Sequence, residues 1–95
     1  MRARRVDANL SQVVDEFRQL GCSVNVRNDD LADLDVGFAG RSVIVEVKDG
    51  RKPPSARKLT KNQIDKRKTW TGGIQLVENL GHVYEVAAAL KDVRR

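Results

Sequence analysis

The sequence predicts an α/β fold, a central mixed four-stranded sheet flanked by helices in the order α-β-β-β-α-β-α. Three observations carry this. Apolar residues recur at helical spacing over residues 9 to 20. Two strand-like runs, Leu34-Asp35-Val36-Gly37-Phe38 and Val43-Ile44-Val45-Glu46-Val47, flank the two-residue turn Ala39-Gly40 and read as a hairpin. A helix with its own start signal separates the second of these runs from a further one, Ile74-Gln75-Leu76-Val77. That strand, helix, strand passage reads as a right-handed crossover, which makes the sheet mixed.

Taken in order, Met1 to Val6 form a basic arm, expected to become ordered on meeting nucleic acid. The first helix places Leu10, Val13, Val14, Phe17 and Leu20 on one face, and Gly21 is a suitable stop. Residues 22 to 27 alternate Cys22, Val24 and Val26 with Ser23, Asn25 and Arg27, as a half-buried strand does. Asn28-Asp29-Asp30 is turn-like, and the hairpin that follows closes at Asp49-Gly50. Pro53-Pro54-Ser55 breaks regular structure. Thr60 with Gln63 three residues later fits a capping box and opens a helix to about Trp70, ended by Thr71-Gly72-Gly73. Asn79 can cap a last helix over roughly residues 82 to 93. No repeat and no domain boundary appears, so residues 1–95 read as one domain.

A chain of this size buries only about 60–65% of its unfolded surface, so dimerisation would help its stability. The net charge of +5 and pI near 9.8 favour an anionic partner. The charge is concentrated. Residues 51 to 68 hold Arg51, Lys52, Arg57, Lys58, Lys61, Lys66, Arg67 and Lys68 against the single acid Asp65. DNA or another nucleic acid is the natural partner of such a patch. With Phe17, Phe38, Trp70 and Tyr84 as the only aromatics, phosphate contact rather than base stacking is expected to dominate. Cys22 is alone, which excludes an intramolecular disulfide, and His82 is the only histidine, which excludes a Cys/His metal cluster. No apolar segment follows the basic start as in a signal peptide, and none reaches membrane-spanning length. A soluble, intracellular, cytoplasmic protein is expected.

The hairpin makes its own prediction about chemistry. If Ala39-Gly40 is the loop, Phe38 pairs with Arg41, Asp35 with Ile44 and Asp33 with Glu46. Asp33, Asp35, Glu46 and Lys48 then share one face, and Leu34, Val36, Phe38, Val43, Val45 and Val47 share the other. A one-residue slip would turn the acids onto the apolar face, so the register is strongly set. Like charges directly opposite are destabilising and call for a cation between them. Hard divalent ions take oxygen ligands of this kind. An acid on one strand, with an acid and a lysine on the next, is the pattern of a metal-dependent phosphodiesterase. The same residues also suit the solvated face of an ordinary amphipathic hairpin, and Asp35 suits a surface position.

This order of elements, with Asp33 and Glu46-Val47-Lys48, resembles the PD-(D/E)XK nuclease superfamily. More narrowly it resembles small phage-encoded VRR-NUC-like endonucleases, akin to Holliday junction resolvases. Asp7-Ala8-Asn9, Asp33-Leu34, Val36-Gly37-Phe38, Gly40-Arg41 and Glu46-Val47-Lys48-Asp49-Gly50 carry the likeness, with Pro53-Pro54-Ser55-Ala56-Arg57, Leu59-Thr60, Gln63, Trp70 and Gly73. It spans about residues 5 to 78.

The resemblance implies a restriction-endonuclease-like fold. It also implies Mg²⁺ or Mn²⁺ held by Asp33, Glu46 and the Val47 backbone carbonyl, with Lys48 near the attacking water or the phosphate. Gln63 would point toward the active site, a role that competes with its place in the capping box. Arg51, Lys52, Arg57, Lys58, Lys61, Lys66 and Arg67 would hold the DNA backbone. A homodimer in the host cell is implied, acting in phage replication, recombination or repair.

Two positions depart from the pattern. Ala32 stands where the family writes Pro before the motif acid, and Gln12 stands where a first-helix Glu usually completes the site. Glu16, one turn further on, lies about 100° from the centre of the apolar stripe against about 140° for Gln12, at about 100° per residue. Either residue is a candidate for the missing ligand. The departure at Gln12 also leaves room for a nuclease-fold protein that binds DNA without cutting it, or for an interaction subunit of a phage DNA-processing assembly.

Overall fold

A computed structural model describes residues 8–27 and 29–92. The basic arm over residues 1–6, Asp7 and Asn28 of the expected turn lie outside the described residues, as does the chain beyond Asp92. The elements are α1 (Ala8–Gln19), β1 (Ser23–Val26), β2 (Leu34–Phe38), β3 (Arg41–Val47), a 3₁₀ turn (Pro54–Arg57), α2 (Lys61–Arg67), β4 (Gln75–Val77) and α3 (Leu80–Lys91). The four-stranded sheet runs β1-β2-β3-β4. The first two pairings are antiparallel, and β3–β4 is parallel. The fold is therefore α/β with a mixed sheet and three helices.

The hairpin forms in the expected register, Phe38 opposite Arg41 and Asp35 opposite Ile44. Ala39 at φ 51° and Gly40 at φ 81° supply two successive left-handed residues, which match the twist of the strands they join. Leu34, Val36, Val45 and Val77 point to one face and are fully buried there. Leu10, Val13, Val14 and Phe17 of α1 and Val83, Val86, Ala87 and Leu90 of α3 cover them in one core. Burying each Val, Leu or Phe among them contributes roughly 1.5–3 kcal/mol. α1 ends in a Schellman motif, Cys22 N–H to Phe17 O and Gly21 N–H to Arg18 O, with Gly21 at φ 88°. No helix among the described residues is long and apolar enough to cross a membrane.

Several boundaries differ from the sequence expectation. β1 is shorter than residues 22 to 27, and Val26 is 39% exposed, because β1 is a sheet edge that the core only partly covers. The Pro53-Pro54-Ser55 break contains an ordered 3₁₀ turn. α2 has its capping box in full, Gln63 N–H to Thr60 Oγ1 and Thr60 N–H to Gln63 Oε1. It stops at Arg67 rather than Trp70, since Lys68 N–H and Trp70 N–H bond back three residues, to Asp65 O and Arg67 O, and tighten the turn. β4 starts at Gln75 rather than Ile74. Asn79 caps α3 as expected, but the helix begins at Leu80 and ends at Lys91.

Candidate functional site

Alternation along β3 sends Val45 and Val47 into the core and Glu46 to the opposite face. Glu46 is nonetheless only 2% exposed. A carboxylate this deep is costly unless its charge is met. Three side chains meet it. Lys48 Nζ lies 3.1 Å from Oε2, Gln63 Nε2 donates to Oε2 at 3.0 Å, and Arg67 Nη2 donates to Oε1 at 3.0 Å. Gln63 and Arg67 are four residues apart on α2, hence on one helix face. These two side chains reach from α2 to the face of β3 that lies away from the apolar core. Arg67 Nε also donates to Leu31 O at 3.0 Å, tying α2 to the segment before β2.

Asp33 is buried beside this cluster, but not as the ladder partner of Glu46. The ladder ends at Leu34 opposite Val45. Asp33 N–H then donates to Val45 O at 3.0 Å, and Asp33 Oδ2 accepts from Val47 N–H at 2.8 Å. A side-chain bond thus continues the strand pairing and holds the Asp33 carboxylate against the backbone of Val47. The expected head-on repulsion of two acids is replaced by this bond on one side and by Lys48 and Arg67 on the other. Among the described residues no three His, Cys, Asp or Glu side chains form a metal-ligating group. A cation here would rest on Asp33 and Glu46, completed by backbone and solvent oxygens.

The two candidates for a third carboxylate lie elsewhere. Gln12 is exposed on α1. Glu16 accepts from Tyr84 OH of α3 at 2.8 Å, and this bond with the Glu16 charge raises the Tyr84 phenol above its ordinary pKa. The α1 side chain that does approach is Asn9, whose Nδ2 donates to Lys48 O at 3.1 Å. Asp35 is engaged by Arg27 Nη1 at 2.7 Å and Asn25 Nδ2 at 3.0 Å.

The basic segment divides in two. Arg51 bonds to Asp49, holding that carboxyl below its usual range. Arg57 pairs with Glu78, Lys68 with Asp65 at 3.2 Å, and Arg67 with Glu46. Lys52, Lys58, Lys61 and Lys66 are exposed, and among the described residues their ammonium groups make no side-chain hydrogen bond or ion pair, although Lys52 acts through space on Asp49. They are the cations of this segment available to phosphate. Sequence reasoning grouped Arg67 with them and missed its bond to Glu46, although the four-residue spacing from Gln63 signals a shared face. Asn9 is among the residues that carry the family likeness, but its spacing of 39 residues from Lys48 gives no local sign of the bond between them.

No family model, curated protein or solved structure compared with the chain matches it.

Proposed function

We propose that the chain is a metal-dependent endonuclease of the restriction-endonuclease-like, PD-(D/E)XK type that hydrolyses DNA phosphodiester bonds. The observation that carries this reading is the buried Glu46 carboxylate, ringed by Lys48, Gln63 and Arg67, with buried Asp33 on the neighbouring strand. Packing alone gives no reason to sink a carboxylate among two cations and an amide. The motif resemblance selects the same residues.

The donor set suits a hard divalent ion, with Asp33, Glu46 and the Val47 carbonyl as the residues that would hold Mg²⁺ or Mn²⁺. Bound there, the ion would supply an acidified water and positive charge against the phosphate. Lys48, released from Glu46, would place its ammonium on a phosphate oxygen and stabilise the charge that builds on it. Gln63 would keep Glu46 oriented through Nε2. Lys52, Lys58, Lys61 and Lys66 would hold the DNA backbone without reading sequence. A homodimer acting on branched phage DNA belongs to the same reading, since cutting paired strands takes two sites.

A specific observation favours a second reading, DNA binding without cleavage. Lys48 and Arg67 already balance Glu46, and Glu16 of α1 is bonded to Tyr84 instead. Purified protein incubated with branched and linear DNAs in Mn²⁺, Mg²⁺ or EDTA separates the two. The nuclease reading expects cleavage with either ion and none in chelator. Salt-sensitive binding with no cleavage under any condition would leave the second reading standing.

A further inference from the structure

Trp70 sits one turn beyond Arg67, its N–H donating to Arg67 O at 3.2 Å, so the residue that grips Glu46 and the indole belong to one turn of chain. The indole lies against the Gly72 backbone, close enough that a Cβ built on Gly72 would stand 2.7 Å from Cζ2 and 2.9 Å from Cε2. The Nε1–Cε2–Cζ2 edge of the ring is thus held against main chain, while the residue remains 40% exposed. Leu59 and Ile64 are exposed in the same stretch, at 37% and 47%, interleaved with the unpartnered Lys58, Lys61 and Lys66. Exposed apolar and aromatic residues that alternate along the chain with exposed lysines suit a ligand that alternates flat apolar faces with phosphates.

We propose that Trp70 is a stacking platform for an unpaired base, so that the site takes DNA with a single-stranded segment. The assignment to a cleavage site rests on the nuclease reading, but the stacking itself does not. Bases in a duplex already stack on one another and offer no open face. An indole held at one edge and partly exposed can receive a base that has left the stack. The few aromatics in the chain led to the expectation that phosphate contact would dominate. The setting of Trp70 adds a base contact to it.

Trp70 is the only tryptophan in the sequence, so intrinsic emission reports on this residue alone. The experiment titrates the full chain in EDTA with oligo-dT, an abasic oligonucleotide of equal length, and a duplex. Oligo-dT is expected to quench the emission and to bind about tenfold more tightly than the abasic strand, which binds through its phosphates without quenching. Trp70→Leu, followed through a labelled oligonucleotide, should lose about tenfold in oligo-dT affinity and nothing toward the abasic strand. Gly72→Ala keeps the tryptophan but pushes the indole aside, and should cost a similar factor. Equal affinity for oligo-dT and the abasic strand would overturn the proposal. So would emission that changes with protein concentration alone, because a second copy would then cover Trp70. Quenching without cleavage in metal would leave the platform intact and remove the nuclease reading, whereas cleavage without quenching would do the reverse.

Discussion

Gln63 reaches Glu46 with one end of its amide and caps its own helix with the other: Nε2 donates to Glu46 Oε2 at 3.0 Å, and Oε1 accepts from Thr60 N–H at 2.9 Å. The capping role and the site role are one arrangement, because the cap fixes the rotamer that aims Nε2 at the carboxylate. Thr60→Ala should cost the helix about 1 kcal/mol, the usual value of a lost cap, and leave Gln63 able to reach Glu46. Gln63→Ala should lose similar stability and also lower cleavage. Denaturant unfolding paired with a cleavage assay checks this. Equal activity in the two variants would confine Gln63 to capping.

Arg67 and Glu46 form one unit with Lys48. A double-mutant cycle of Glu46→Gln and Arg67→Met should return about 0.5–3 kcal/mol of coupling, the range for residues in one charged network. Arg67→Met also removes a competitor for the Glu46 carboxylate. Mn²⁺ affinity by calorimetry should therefore rise. Unchanged or weaker affinity would show that Glu46 is not a ligand.

DNA binding should depend on salt through the unpartnered lysines. Replacing Lys52, Lys58, Lys61 and Lys66 together by Ala should flatten the slope of log K against log salt by about 3–4 on duplex DNA, near 0.9 per phosphate contact. Replacing Arg51 and Arg57, already paired with Asp49 and Glu78, should flatten it by well under the roughly 1.8 that two available contacts would give. A change near that value would mean that the pairing does not withhold those arginines from DNA.

Glu16 faces Tyr84, so Glu16→Gln should leave cleavage within about twofold of the parent, well under the tenfold that 1.36 kcal/mol would give. The same change should lower the phenol pKa. The bond from Tyr84 and the adjacent carboxylate both favour the neutral phenol, so the folded-state pKa is raised. That contribution to stability is fully present below the ordinary phenol value and is lost as pH rises through the raised one. Tyr84 is the only tyrosine, so ultraviolet titration reads it directly. A phenol pKa that does not move in Glu16→Gln would refute the contact.

The hairpin register was legible because Leu34, Val36, Phe38, Val43, Val45 and Val47 share one face, and a slip would bury the acids. The caps of α2 and α3 were legible because Thr60, Gln63 and Asn79 act over three residues of sequence. What could not be read depends on distant chain. Glu16 finds its partner 68 residues away, and the helical wheel that turned it toward the sheet knew nothing of α3. The exposure of Val26 follows from β1 lying at the sheet edge, a matter of strand order. The bond from Val47 N–H to Asp33 Oδ2 replaces a ladder pair at the point where the strands part, and residue spacing alone assumes the ladder continues.

The most direct test compares Glu46→Gln and Asp33→Asn with the parent protein, measuring cleavage of branched DNA in Mn²⁺ alongside DNA binding in EDTA. Both variants keep the size and hydrogen-bonding reach of the side chain and remove its charge. Cleavage should be lost in each while binding survives or tightens, since a negative charge has left a site that faces phosphate. Cleavage at the parental rate by either folded variant would contradict it.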